Sequence, residues 1–165
     1  MIKILISACL LGEKVRYHGG DAAVSDGILE TWRREGRLVP ICPEVAGSLS
    51  VPRPAAEIQG AGGRAVLNGI ARVLTSDGAD VTDAFLAGAR AGLDASRRDE
   101  VRIAVLKEGS PSCGSKEIHD GTFSGRRKTG AGVTAALLAE NQVRVFNEHE
   151  LEMAQRYVAE LENAQ

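Results

Sequence analysis

Val101 to Gly125 reads VRIAVLKEGSPSCGSKEIHDGTFSG. Its first six residues, through Leu106, are an apolar run with β-branched members, the signature of a strand buried on both faces. At Lys107 the pattern breaks into Gly, Ser and Pro around a single thiol, Cys113. Glycine costs backbone entropy and proline removes a hydrogen-bond donor, so so many of them do more than turn a corner. A long loop on a rigid strand end is where function concentrates. The fold class follows if the rest of the chain repeats this unit of buried strand, loop and helix.

It does. Lys3 to Ala8 (KILISA) is a second buried-strand run, and Cys9 comes at its carboxyl end. A loop with Gly12, Gly19 and Gly20 follows. Ser25 is placed to cap a helix through Ile28, Leu29 and Trp32, with Gly36 as its stop. Leu38 to Ile41 (LVPI) is a short strand that Pro40 makes irregular or puts at an edge, and Cys42, Pro43 and Glu44 come directly after it. The proline-rich Val51 to Glu57 cannot open as helix. Ala65 to Leu74 resembles a hairpin turning at Asn68-Gly69. Asp80 begins a helix whose Val81, Phe85, Ala89 and Leu93 share one face. Gly130 to Glu140 is a helix and Val143 to Phe146 a last strand. Asn147 with Glu150 suggests a cap for a final helix with Leu151, Ala154, Val158 and Leu161 on one side. Strands alternating with helices mean an α/β fold with a mostly parallel sheet.

The bulk numbers fit a single domain. The 165 residues are 44% hydrophobic and 25% charged, with net charge -2 and pI about 5.9. That balance argues against a large nucleic-acid footprint, while leaving room for a local basic strip such as Arg126 to Lys128. No apolar stretch is long enough to cross a membrane, and Met1 to Ala8 lacks the parts of a signal peptide, so a cytoplasmic protein is expected. Three widely spaced cysteines make a poor disulfide framework.

In an open α/β sheet, ligands bind beyond the carboxyl ends of the strands. Cys9, Cys42 and Cys113 each follow a strand, so parallel neighbouring strands would bring all three thiols to one edge. Structural zinc would need a fourth ligand, with His18 and His119 as candidates. An iron–sulfur cluster is normally held by thiolates, and three of them on a four-iron cluster leave one iron open. Spacing alone does not choose between the metals. Glu44 is two residues from Cys42, in reach of the same pocket as a general acid or base. Ser110 and Ser112 are candidate donors to a substrate oxygen, and Lys107 a source of positive charge. Arg16 and Arg53 are candidate anion contacts. Gly130, Gly132 and Thr134 offer an anion nest at a helix start.

Several multi-residue motifs occur in order: CLLG from Cys9, VRY from Val15, CPEV from Cys42, PRPAAEI from Pro52, LKEGSPSCG from Leu106, DGTFSG from Asp120 and GAGVTAALL from Gly130. In these the chain resembles the thiouracil desulfurase family over nearly its whole length, Ile4 to about Glu148. The resemblance implies a single-domain enzyme, and the pattern of elements a three-layer, Rossmann-like α/β fold with a small β-hairpin insertion. It implies removal of sulfur from thiolated pyrimidines (thiouracil or a 4-thiouridine nucleotide), thiocarbonyl to carbonyl. It implies a 4Fe–4S cluster on Cys9, Cys42 and Cys113, with the open iron binding the substrate sulfur. The catalytic glutamate maps to Glu44. The catalytic serine falls in SPSCG, at Ser110 in preference to Ser112, with Lys107 beside them. Some relatives act on transfer RNA, so RNA is a second candidate partner. Two positions depart from the pattern: His18 stands where relatives commonly have Asp, and His119 where they commonly have Tyr. Both bear on substrate preference, and they keep open the alternative of a zinc- or cluster-containing nucleotide-binding module without catalysis.

Overall fold

The computed structural model describes all 165 residues. Four strands, β1 (Ile4–Ser7), β2 (Leu38–Ile41), β5 (Ile103–Leu106) and β8 (Arg144–Asn147), form one sheet in the order β2-β1-β5-β8. Every pairing in it is parallel. Two antiparallel pairs stand apart from it: β3 (Ala56–Gln59) with β4 (Arg72–Thr75), and β6 (Glu117–His119) with β7 (Arg127–Thr129).

The central strands are apolar without alternation because both faces are covered. Ile4, Ile6, Ile103 and Val105 face α1 (Gly27–Arg34) and α6 (Leu151–Asn163), where Leu29, Trp32, Ala154 and Val158 complete the layer. Leu5, Ala104 and Leu106 face α4 (Thr82–Arg98) and α5 (Val133–Glu140) through Leu93, Ala95, Ala135 and Leu138. The result is the expected three-layer α/β fold. Pro40 does lie on an edge strand, where its missing N–H leaves no ladder bond unmade. No helix is long and apolar enough to cross a membrane.

Three local expectations change. Asn68-Gly69 is not a hairpin turn: Gly63–Leu67 is a short helix, α3, and Asn68 and Gly69 (φ +74°) end it. Its Val66 is buried against Ile58, Val73 and Phe85, so tertiary packing overrides the local turn signal. The antiparallel partner of β4 is β3, on the other side of that helix. The cap of α1 is Asp26, whose carboxylate accepts from the Ile28 N–H at 2.7 Å, and not Ser25. Asn147 and Glu150 do pair, Asn147 Nδ2 donating to Glu150 Oε1 at 2.8 Å, but neither side chain caps an N–H of α6, and the same amide also donates to Glu108 at 2.6 Å.

Candidate functional site

Strand order decides where the thiols go. β2, β1 and β5 are neighbours and parallel, so their carboxyl ends share one edge. Cys9 lies in the 3-10 turn Ala8–Leu11 after β1, Cys42 heads the short helix α2 (Pro43–Ala46) after β2, and Cys113 lies in the loop after β5. All three line one cavity of about 380 Å³, together with Glu44, Arg53, Lys107, Ser110, Ser112 and His119. Cys9 and Cys113 are buried and none of the three forms a disulfide.

Two backbone contacts too close for any side chain hold these walls. A Cβ on Gly88 of α4 would come 2.0 Å from the Pro43 carbonyl oxygen, so α2 lies directly on α4. A Cβ on Gly132 would come 2.5 Å from the Ser112 carbonyl carbon. At that contact the N–H groups of Val133 and Thr134 donate to the Pro111 and Ser112 carbonyls (both 2.9 Å), and Gly132 donates to Gly114 (2.8 Å). Gly130, Gly132 and Thr134 therefore form no anion nest: the helix start spends its donors on the cysteine loop. Gly132→Ala is expected to cost about 1–3 kcal/mol by overpacking, lowering Tm by roughly 3–10 °C in a thermal melt.

Glu44 is held from two sides. Its Oε1 accepts from Arg53 Nε at 3.1 Å and its Oε2 from Ser112 Oγ at 2.8 Å. The Arg53 side chain is only 6% exposed and also donates to the Val15 and Ser50 carbonyls. It is committed to Glu44 and is not a free anion contact. Ser112 Oγ lies 2.9 Å from Ser110 Oγ and 3.6 Å from Cys113 Sγ. The hydroxyl touching Glu44 is thus that of Ser112. Ser110 Oγ accepts from the N–H groups of Ser112 (3.2 Å) and Cys113 (3.1 Å), pinning the loop.

Lys107 reaches the cavity wall with its ammonium paired to Glu148 Oε1 at 2.7 Å and to the Glu108 carbonyl at 3.0 Å. Arg16 and Arg127 also line the cavity. Arg126 to Lys128 is not a free basic loop: Arg127–Thr129 is β7, and Lys128 donates to the Gly60 carbonyl.

Burial sets the chemistry of the thiols. It pushes Cys9 up to about 11 and Cys113 up to about 12, and raises Cys42 as well. Each is a neutral thiol at physiological pH, so ligation must expel its proton, and loading strengthens as pH rises. As the side chains stand, no three His, Cys, Asp or Glu groups gather about a point to hold a metal ion. His18 is absent from the cavity lining, and its Nδ1 accepts from the Gly20 N–H. His119 rests on the Gly109 carbonyl at 3.1 Å. Three soft thiols line one cavity, whose one imidazole, His119, is engaged by the Gly109 carbonyl, a set that suits a polynuclear iron–sulfur group.

Sequence reasoning missed Glu108, although it lies inside the LKEGSPSCG motif. This carboxylate is 7% exposed. It accepts from the N–H groups of Gly109 (3.2 Å), Ser115 (2.8 Å) and Lys116 (3.3 Å), from Ser115 Oγ (3.1 Å) and from Asn147 Nδ2 (2.6 Å). Burial raises its pKa, but the surrounding N–H groups more than offset that and hold it below the ordinary carboxylate value. It is the internal anchor of the Cys113 loop. A glutamate at the mouth of a glycine-rich loop full of free N–H groups was the available signal.

Fold and site define an α/β protein with a thiol-lined cavity at the carboxyl edge of a parallel sheet. The family model for 2-thiouracil desulfurase matches residues 4–150, and the chain belongs to that family. It is 45% identical over 148 residues to YbbK, an uncharacterized protein of Bacillus subtilis (strain 168), covering 90% of this chain and 97% of that one. Among solved structures it is similar to the [4Fe-4S]-dependent thiouracil desulfidase TudS (DUF523Vcz), with 42% identity and a TM-score of 0.89, over 96% of this chain and 99% of the other.

Proposed function

We propose that this protein is an iron–sulfur-dependent desulfidase of thiolated uracil, exchanging thiocarbonyl for carbonyl with release of sulfide. The observation that carries the reading is the cavity itself. Three thiols able to hold a cluster share its wall with a carboxylate–hydroxyl pair, Glu44 and Ser112, at 2.8 Å. Membership of the family and the similarity to TudS support the same reaction.

Cys9, Cys42 and Cys113 would hold the group. A four-iron cluster so bound supplies one iron without a protein ligand, a Lewis-acidic acceptor for the substrate sulfur. The chain's own residues do the proton work. Glu44 takes the proton of the attacking water at its carboxylate. Arg53 fixes one carboxylate oxygen, so the other stays on Ser112. The Ser112 hydroxyl, donating to Glu44 and 2.9 Å from the Ser110 hydroxyl, carries protons between Glu44 and the ring. Ser112, in contact with Glu44, is favoured over Ser110 as the acting serine, and Ser110 shapes the loop. The Lys107 ammonium, held by Glu148 at the cavity wall, orients the base. A thiocarbonyl and water give a carbonyl and hydrogen sulfide, which balances without electrons, so no redox partner is needed. The net charge of -2 favours a free base or nucleotide over transfer RNA as substrate.

Protein purified anaerobically is expected to be brown, to hold about four irons per chain, and to release sulfide from 2- or 4-thiouracil, thiouridine monophosphate or thiolated RNA. A colourless preparation holding one zinc, with no sulfide released from any of them, sinks the reading.

A further inference from the structure

Phe123 sits at the centre of the loop between β6 and β7, in the DGTFSG motif. It is the one aromatic residue of the chain with positive φ, +55°. For a bulky side chain that backbone is strained, and strain persists only where the surroundings over-determine it. Here they do. The buried carboxylate of Glu57 on β3 accepts from the N–H groups of Gly121 (2.9 Å) and Phe123 (3.2 Å) through one oxygen. Gln59 donates to the Gly121 carbonyl at 2.9 Å, and Asp120 accepts from the Thr122 N–H at 3.0 Å. What this clamp presents is an aromatic side chain that lines the thiol cavity and is 38% exposed. Of the other rings there, Tyr17 is edge-on to His18 at 4.8 Å and His119 is held on the Gly109 carbonyl, whereas Phe123 belongs to no aromatic pair.

We propose that Phe123 is the stacking platform for the flat ring of the substrate, and that Glu57 is the positioning residue that holds it there. An aromatic face binds any planar base and prefers it to a puckered ring of the same polarity. The identity of that ring as a thiolated uracil rests on the desulfidase reading above.

The test uses anaerobically prepared holoenzyme. Phe123→Ala is expected to raise KM for thiouracil on the order of tenfold, well beyond its effect on kcat, with iron content and cluster absorbance retained. Phe123→Tyr should restore KM. Glu57→Ala should raise KM to a similar degree, Glu57→Gln, which keeps the acceptor oxygen, should raise it less, and the Glu57→Ala/Phe123→Ala double variant should be no worse than either single. Should Glu57→Ala fail to fold, the Phe123 pair carries the test. Calorimetric binding of uracil and 5,6-dihydrouracil needs no turnover: the wild type should prefer the planar ring, and Phe123→Ala should lose that preference. An unchanged KM in Phe123→Ala, no rescue by Tyr, additive effects in the double variant, or equal binding of the two rings by the wild type overturns the proposal. A wild type that prefers uracil but releases no sulfide leaves the platform standing and removes the desulfidase reading alone.

Discussion

Glu44→Gln is expected to keep the brown colour and the fold while losing turnover by roughly a hundred- to ten-thousand-fold, the usual contribution of a positioned acid or base. Glutamine is the informative replacement because of what lies behind Glu44. The Arg53 guanidinium is 6% exposed and its Nε is spent on Glu44 Oε1. An alanine at 44 would leave that buried cation without its carboxylate, a cost of about 3 kcal/mol or more, and would confuse loss of chemistry with loss of structure. The glutamine oxygen can still accept from Arg53, but the side chain no longer takes a proton. Iron content, visible absorbance and sulfide release measured on one preparation separate the outcomes. Cys42→Ser should lose colour and turnover together. Wild-type turnover in a Glu44→Gln protein with full iron content would remove Glu44 from the mechanism.

Glu108→Gln is expected to be the most damaging single change outside the cavity's chemistry. It places an amide NH2 against a ring of N–H donors and leaves some of them unsatisfied in a buried site, at on the order of 3 kcal/mol. For a chain of this size that lowers Tm by roughly 10 °C near neutral pH. The pH dependence has a definite sign. The carboxyl of Glu108 is held below its ordinary value of 4.5 in the folded state. Its contribution is therefore present above that value and is lost as pH falls through the lower, folded one. The gap between wild type and Glu108→Gln in thermal melts should be full at pH 7 and shrink below about pH 4. A gap that stays constant down to acid pH would show that the carboxylate charge is not what anchors the loop. Because the loop carries Cys113, Ser110 and Ser112, the variant should also lose iron on mild warming before the wild type does.

The elements that were legible in the chain are those encoded within a few residues. Buried-strand runs at Ile4 and Ile103, the four-residue rhythm from Phe85 to Leu93, and the edge-seeking Pro40 all report local periodicity or backbone chemistry, and each stands as read. Local signals failed where packing outweighed them. Asn68-Gly69 ends a helix because Val66 has a core to enter, and Asn147 divides its amide between Glu150 and the buried Glu108 carboxylate without capping the helix.

Alternation of strand and helix was enough to predict a parallel sheet, and with it a functional edge, for thiols that each follow a strand. Which strands are neighbours is a property of the folded sheet alone. The order β2-β1-β5-β8 brings Ser112 onto Glu44 across 68 residues and Asn147 onto Glu108 across 39, and the loop after β6 meets β3 where Gly121 donates to Glu57 across 64. Sequence patterns carry no record of partners at such separations, because a hydrogen bond depends on where two segments meet and not on what lies beside either one. The cysteines and Glu44 were visible in the sequence as residue types on strand ends. The clamp on Glu44 and the anchor beneath the Cys113 loop exist only once the sheet has brought those ends together, and the strained aromatic at the cavity wall only once β3 meets the β6–β7 loop.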